Sequence, residues 1–134
     1  MNKTTMAKIC PCGSDKKFDR CCGRFLIDNK QAKTAEQLMR SRFTAYALGG
    51  YGDYLMSTWH HAESNGLSSA LLDVSESKWV KLEVLDKSQK GDNAIVEFKA
   101  HHLDTSGQKG LLHERSEFIR INGRWLYVEG EIFS

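Results

Sequence analysis

From Lys78 onward the chain alternates between apolar and polar positions. Val80, Leu82 and Val84 interleave with Lys81 and Glu83, and Ala94, Val96, Phe98 and Ala100 interleave with Glu97, Lys99 and His101. A period of two marks half-buried strands, and the pattern predicts them over 78–87, 93–103, 110–121 and 124–133. Gly91-Asp92, Ser106-Gly107 and Asn122-Gly123 separate the runs, and Asn-Gly between alternating segments is a strong hairpin signal. Before Lys78 the period is helical. Thr34-Ala35-Glu36-Gln37 fits a capping box, with Thr34 as N-cap and Gln37 at the third helical position. The helix that follows has an apolar stripe of Leu38, Met39, Phe43, Tyr46 and Ala47 and should stop at Gly49-Gly50. Arg42 lies beside the stripe, where it can reach inward, and Arg40 lies off it. Short helices are expected near 51–58 and 69–72, and residues 25–33 read as a polar connector. Helices first and a meander afterwards predict an α+β domain, with helices packed on one face of a curved antiparallel sheet.

The Asn122-Gly123 turn permits register arithmetic. A two-residue loop pairs Ile121 with Arg124, Arg120 with Trp125, Ile119 with Leu126, Phe118 with Tyr127, Glu117 with Val128 and Ser116 with Glu129. One face then holds Leu112, Glu114, Ser116, Phe118, Arg120, Trp125, Tyr127, Glu129 and Glu131. The other holds His113, Arg115, Glu117, Ile119, Ile121, Leu126 and Val128. The first face, aromatic with carboxylates, has the make-up of a pocket wall and is expected to be concave.

Composition adds limits. The chain has 134 residues, with 40% hydrophobic and 27% charged, which suits one globular unit and excludes a disordered tail. The net charge of +2 does not mark the whole chain as a nucleic-acid or membrane binder. The charge is uneven: residues 1–42 carry a net +6 and residues 43–134 a net −4. No apolar run approaches the ~18 residues a membrane span needs. Residues 1–8 show no apolar segment of a secretory signal, so a cytoplasmic protein with reduced thiols is expected.

All four cysteines fall within 13 residues, as Cys10-Pro11-Cys12 and Cys21-Cys22. In a reducing compartment this clustering reads as a tetrahedral metal site, and with four protein ligands the site is structural rather than catalytic. Zinc is the expected ion, and iron also accepts four thiolates. Pro11 stiffens the first knuckle, and Gly13 and Gly23 permit the turns that follow each pair. Phe18 is expected to pack over the site. Lys8, Lys16, Lys17, Arg20 and Arg24 surround the thiolates in sequence and offset their charge.

Cys10-Pro11-Cys12-Gly13-Ser14, eight residues to Cys21-Cys22, then Gly23, resembles the SEC-C motif, the zinc knuckle at the carboxyl terminus of the SecA translocation ATPase. The last ligand is commonly His in SecA and is Cys22 here. Leu38-Met39-Arg40-Ser41-Arg42-Phe43, Tyr54-Leu55, Thr58-Trp59-His60, His113-Glu114-Arg115-Ser116 and Asn122-Gly123-Arg124-Trp125 resemble the YchJ (UPF0225) family, which joins a SEC-C knuckle to an NTF2-like cone. The resemblance implies a knuckle over residues 1–24, with a flexible N-terminus, and an NTF2-like domain over residues 25–134.

Two functions compete on these residues. In the first, the protein is a non-enzymatic adaptor. Lys16, Lys17, Arg20 and Arg24 project from the knuckle, and the SecA likeness implies an acidic chaperone surface such as SecB, the ribosome or anionic lipid as partner. In the second, the cone is an enzyme site or holds a small ligand, using Arg42, Trp59, Glu114, Ser116, Phe118, Trp125, Tyr127 and Glu129. The plainer reading of this cluster is an ion pair from Arg42 to a carboxylate, tying helix to sheet. His101 and His102 point to opposite faces of a strand and cannot chelate one ion together. Direct nucleic-acid binding is disfavoured by the small basic patch and acidic body.

Overall fold

The computed structural model describes residues 8–62, 65–73 and 77–133. The expected flexible start, residues 1–7, lies outside the described residues. The chain opens with a bridge between Ile9 and Lys17, followed by a 3₁₀ turn, Phe18–Arg20. Among the described residues the helices that come next are α1 (Gly23–Leu26), α2 (Ala35–Leu48), α3 (Gly52–Ser57) and α4 (Ser69–Leu72). The strands follow as β1 (Lys78–Lys90), β2 (Asn93–Leu103), β3 (Lys109–Ile121) and β4 (Arg124–Phe133). They form one antiparallel meander in the order β1-β2-β3-β4, the α+β arrangement expected.

Helix α2 starts and stops where its end residues dictate. The Thr34 side chain accepts from the Gln37 amide at 3.1 Å. The Gln37 side chain closes the box one residue early, on the Lys33 amide at 2.8 Å. Gly49, with φ of +75°, ends the helix. The apolar face of α2 presses Leu38, Met39 and Phe43 against the sheet, where Leu82, Val96, Phe98, Ala100 and Phe118 complete a single core that also takes in the four cysteines.

Two expectations about the chain near the knuckle are corrected. Residues 25–33 are not simply a polar connector, because Phe25, Leu26 and Ala32 are buried. Gly23 does not turn the chain with a positive φ; it begins α1, and a Cβ there would stand 2.7 Å from the Phe18 carbonyl oxygen. Close packing, rather than backbone freedom, requires glycine at this position.

The hairpin register follows the arithmetic from Ile121↔Arg124 to Phe118↔Tyr127 and then departs from it. A bulge at Val128 makes Glu117 face Glu129 and Ser116 face Gly130. An extra residue on one strand turns every later side chain to the other face. Glu129 and Glu131 therefore leave the concave face, and Gly130 takes their place on it.

Candidate metal centre and cone cavity

The two cysteine pairs meet because the knuckle folds back on itself. The Cys10 amide donates to the Lys16 carbonyl at 2.8 Å, and the Phe18 amide to the Lys8 carbonyl at 2.8 Å. Gly13, with φ of +83°, supplies a left-handed position in the turn between these bonded segments. Phe18 is 1% exposed and lies against Gly23. All four cysteines are buried and unbridged, with their sulfurs within 4.8 Å of one another. Cys12 Sγ and Cys21 Sγ are 3.5 Å apart, far beyond the ~2.05 Å of a disulfide. Sulfurs on a tetrahedral zinc lie about 3.8 Å apart, from Zn–S bonds of about 2.3 Å. The donor set fits a metal ion.

The thiols already share protons unequally. Hydrogen bonds from Cys10 and then Cys22 hold Cys12 far below the usual thiol range. The bond from Cys22 brings Cys21 down to about 6. Cys10, bonded to Cys12, is pushed up to about 11, and Cys22 is raised by its bonds to Cys10 and Cys12. Neighbouring hydroxyls reach the same sulfurs. Ser14 Oγ is 3.1 Å from Cys21 Sγ. Thr44 Oγ1, on α2, is 3.3 Å from Cys22 Sγ and 3.8 Å from Cys10 Sγ. Such outer partners orient metal ligands.

The basic residues divide into two groups. Lys16, Lys17 and Arg20 are exposed. Arg24 is half-buried, donates through Nε to the Cys21 carbonyl at 3.0 Å, and lies over the Phe25 ring. Arg40 lies off the apolar stripe of α2, where it donates to the Cys12 carbonyl at 2.6 Å and pairs with Glu36 at 2.9 Å. No signal in a single helix shows that its polar face receives a knuckle formed 28 residues earlier.

Across the core lies a cavity of about 230 Å³ between α2 and the concave sheet face. Arg42, Trp59, Glu114, Ser116, Phe118 and Tyr127 of the expected set line it, together with Met39, Phe43, Tyr46, Trp79, Phe98, Ala100 and Leu112. Trp79 enters the wall through a bulge at Val80, which reverses the alternation that set it on the face of Lys81 and Glu83, and Tyr46 enters it from the apolar stripe of α2. Trp125 is buried but does not line this cavity. It lies nearer the hairpin turn and donates through Nε1 to the Lys33 carbonyl at 3.2 Å, beside a separate cleft. Glu129 is exposed on the opposite face, displaced by the bulge.

Arg42 is buried as expected, but its partner is not a carboxylate. Its guanidinium lies 4.9 Å from the ring centroids of both Trp59 and Tyr127. Nη1 donates to the Leu55 carbonyl at 2.8 Å and Thr58 Oγ1 at 2.7 Å. Burial pushes its pKa down, and neighbouring Tyr46, Tyr127, Tyr54 and Glu114 oppose that shift. Glu114 Oε2 accepts from Ser116 Oγ and from the Tyr127 hydroxyl at 3.1 Å. A Cβ at Gly130 would overlap the Glu114 carboxylate, so the bulge delivers the one residue type that leaves it room. The histidines lie apart. His101 bonds Glu83 at 2.6 Å, His113 bonds Glu97 at 2.9 Å, and His102 packs on Trp79.

Both parts of the chain match known families. Residues 6–24 match the SEC-C motif, and residues 34–130 match the description "YchJ, middle NTF2-like domain". A UPF0225 protein of Photorhabdus laumondii is 41% identical over 132 residues, covering 93% of this chain and 81% of that protein. One from Chromobacterium violaceum is 42% identical over 133 residues, covering 96% of each. The solution structure of a SEC-C motif containing protein from Rhodopseudomonas palustris superposes with a TM-score of 0.84 at 37% identity, covering 95% of this chain and 100% of that one. No helix among the described residues is long and apolar enough to cross a membrane. With likeness running through knuckle and cone alike, this chain belongs to the YchJ (UPF0225) family.

Proposed function

We propose that the protein is a non-enzymatic adaptor of the cytoplasm, in which one zinc ion held by Cys10, Cys12, Cys21 and Cys22 orders a basic docking knuckle. The observation that carries this reading is a contrast of burial: the four thiols are sealed in the core while Lys16, Lys17 and Arg20 stand exposed. A metal with four buried protein ligands has no position for substrate, so its work is to hold shape. A thiolate-rich site accepts iron as well, and elemental analysis separates the two metals.

The knuckle, residues 1–24, presents the charge, and the body, residues 25–134, carries it through the bonds from Arg40 and Thr44. Lys16, Lys17 and Arg20 form the contact surface, with Arg24 at its edge. They suit an acidic protein surface of the kind that a SecB-like chaperone or a ribosomal protein offers. Of the two carboxylates expected in the cone, Glu114 faces the cavity and Glu129 does not.

The test is capture from a bacterial lysate by wild type and by the triple variant Lys16→Glu, Lys17→Glu, Arg20→Glu. The variant should keep its metal and lose the partner, and wild-type capture should fall steeply with salt. Capture of the same partner by the variant at the same salt would refute docking.

A further inference from the structure

Nothing in a knuckle-docking protein requires a cavity of about 230 Å³ in its body. Its wall is mostly aromatic: Phe43, Trp59, Trp79, Phe98 and Phe118. Water against such a wall has few partners, and displacing it by apolar matter is favourable. One corner differs. Arg42, Glu114 and Ser116 are 6%, 9% and 1% exposed, and Tyr127 completes the group.

The hydrogen bonds of this corner are incomplete in a specific way. Both donors to Glu114, Ser116 Oγ and the Tyr127 hydroxyl, go to Oε2. Among the described residues no donor reaches Oε1. Burial and the charge of Glu114 raise the Tyr127 pKa, so its hydroxyl keeps the proton that it donates. The Arg42 bonds leave from Nη1, and among the described residues no acceptor meets Nε or Nη2. The corner thus offers one free acceptor and free donors.

Its two formal charges cancel, although Arg42 and Glu114 make no direct ion pair. An added charge would be attracted by one group, repelled by the other, and would lose its hydration. A neutral group that both donates and accepts satisfies both sides. Gly130 leaves room for the Glu114 carboxylate.

We propose that the cone cavity is a binding site for a neutral, single-ring aromatic molecule bearing a hydroxyl or carboxamide, with its ring among the aromatic walls and its polar group between Glu114 and Arg42. The proposal is independent of knuckle docking and of the partner there.

The experiment is an NMR titration of the full metal-loaded chain with phenol and benzamide, against toluene and benzoate as controls. Phenol and benzamide should give saturable shifts at Ala100, Leu112 and Ser116, with toluene and benzoate weaker by about tenfold or more. Ala100→Leu fills the cavity and should abolish the shifts. Glu114→Gln keeps the size but removes the negative charge, so it should weaken phenol and strengthen benzoate through Arg42. This exchange of preference is a result that loss of folding cannot produce. Absence of saturable shifts with phenol and benzamide, benzoate binding wild type as tightly as phenol, or an unchanged preference in Glu114→Gln would overturn the proposal.

Discussion

Arg42 holds a full charge in the core by lying between two rings and lending one nitrogen to α3. Truncation would empty the space between Trp59 and Tyr127 and leave the Leu55 carbonyl without its donor from Arg42. Arg42→Ala is therefore expected to cost about 3 kcal/mol in denaturant unfolding, from hydrogen bonds to a charged group and desolvated cation–π contact. Arg42→Lys should recover little, since an ammonium lacks the flat face that stacks. Arg40→Ala should cost about 1–2 kcal/mol, because the bond to Cys12 ties knuckle to helix. Equal and negligible costs for the two positions would contradict these roles. Gly130→Ala should destabilise the protein or displace Glu114, visible as loss of the Tyr127–Glu114 contact in a structure of the variant. The inward turn of Arg42 was legible from helical phase, but its partners were not. They come from α3, the residues just after it and β4, whose mutual placement no local pattern encodes. Glu129 was misplaced for a related reason: alternation carries no sign of a bulge, and one extra residue reverses all that follows.

At the scale of elements, the knuckle and α2 share a surface. Thr44 reaches two of the sulfurs, Arg40 reaches the Cys12 carbonyl, and the cysteines belong to the same core as Leu38 and Phe98. Metal removal by a chelator, or Cys12→Ser, should loosen residues 8–26 and the knuckle-facing part of α2 near Arg40 and Thr44. The paired centre of β2 and β3 should stay protected. Hydrogen exchange read residue by residue checks this, and undiminished protection of residues 8–26 without metal would count against it. The elements themselves were largely written in the chain. Thr34 and Gly49 bound α2, and Asn122-Gly123 sets the hairpin, because each acts on its immediate neighbours. Helix α1 was missed because Gly23 resembles a turn residue until Phe18 is seen against it, a contact that exists only once the knuckle closes.

For the whole molecule, the uneven charge places a net +6 in the first 42 residues and −4 in the rest. Partner capture should accordingly weaken with ionic strength, whereas phenol binding in the neutral corner of the cone should change little between low and high salt. A salt series on both interactions separates the two surfaces, and parallel loss would merge them.

The account depends above all on a metal ion held by the four cysteines. Native mass spectrometry of protein purified under reducing conditions measures this directly. The predicted result is a chain carrying one ion, with the mass of zinc, and a Cys12→Ser chain carrying none in stoichiometric amount. A metal-free chain, or one lighter by the four hydrogens of two disulfides, would contradict it.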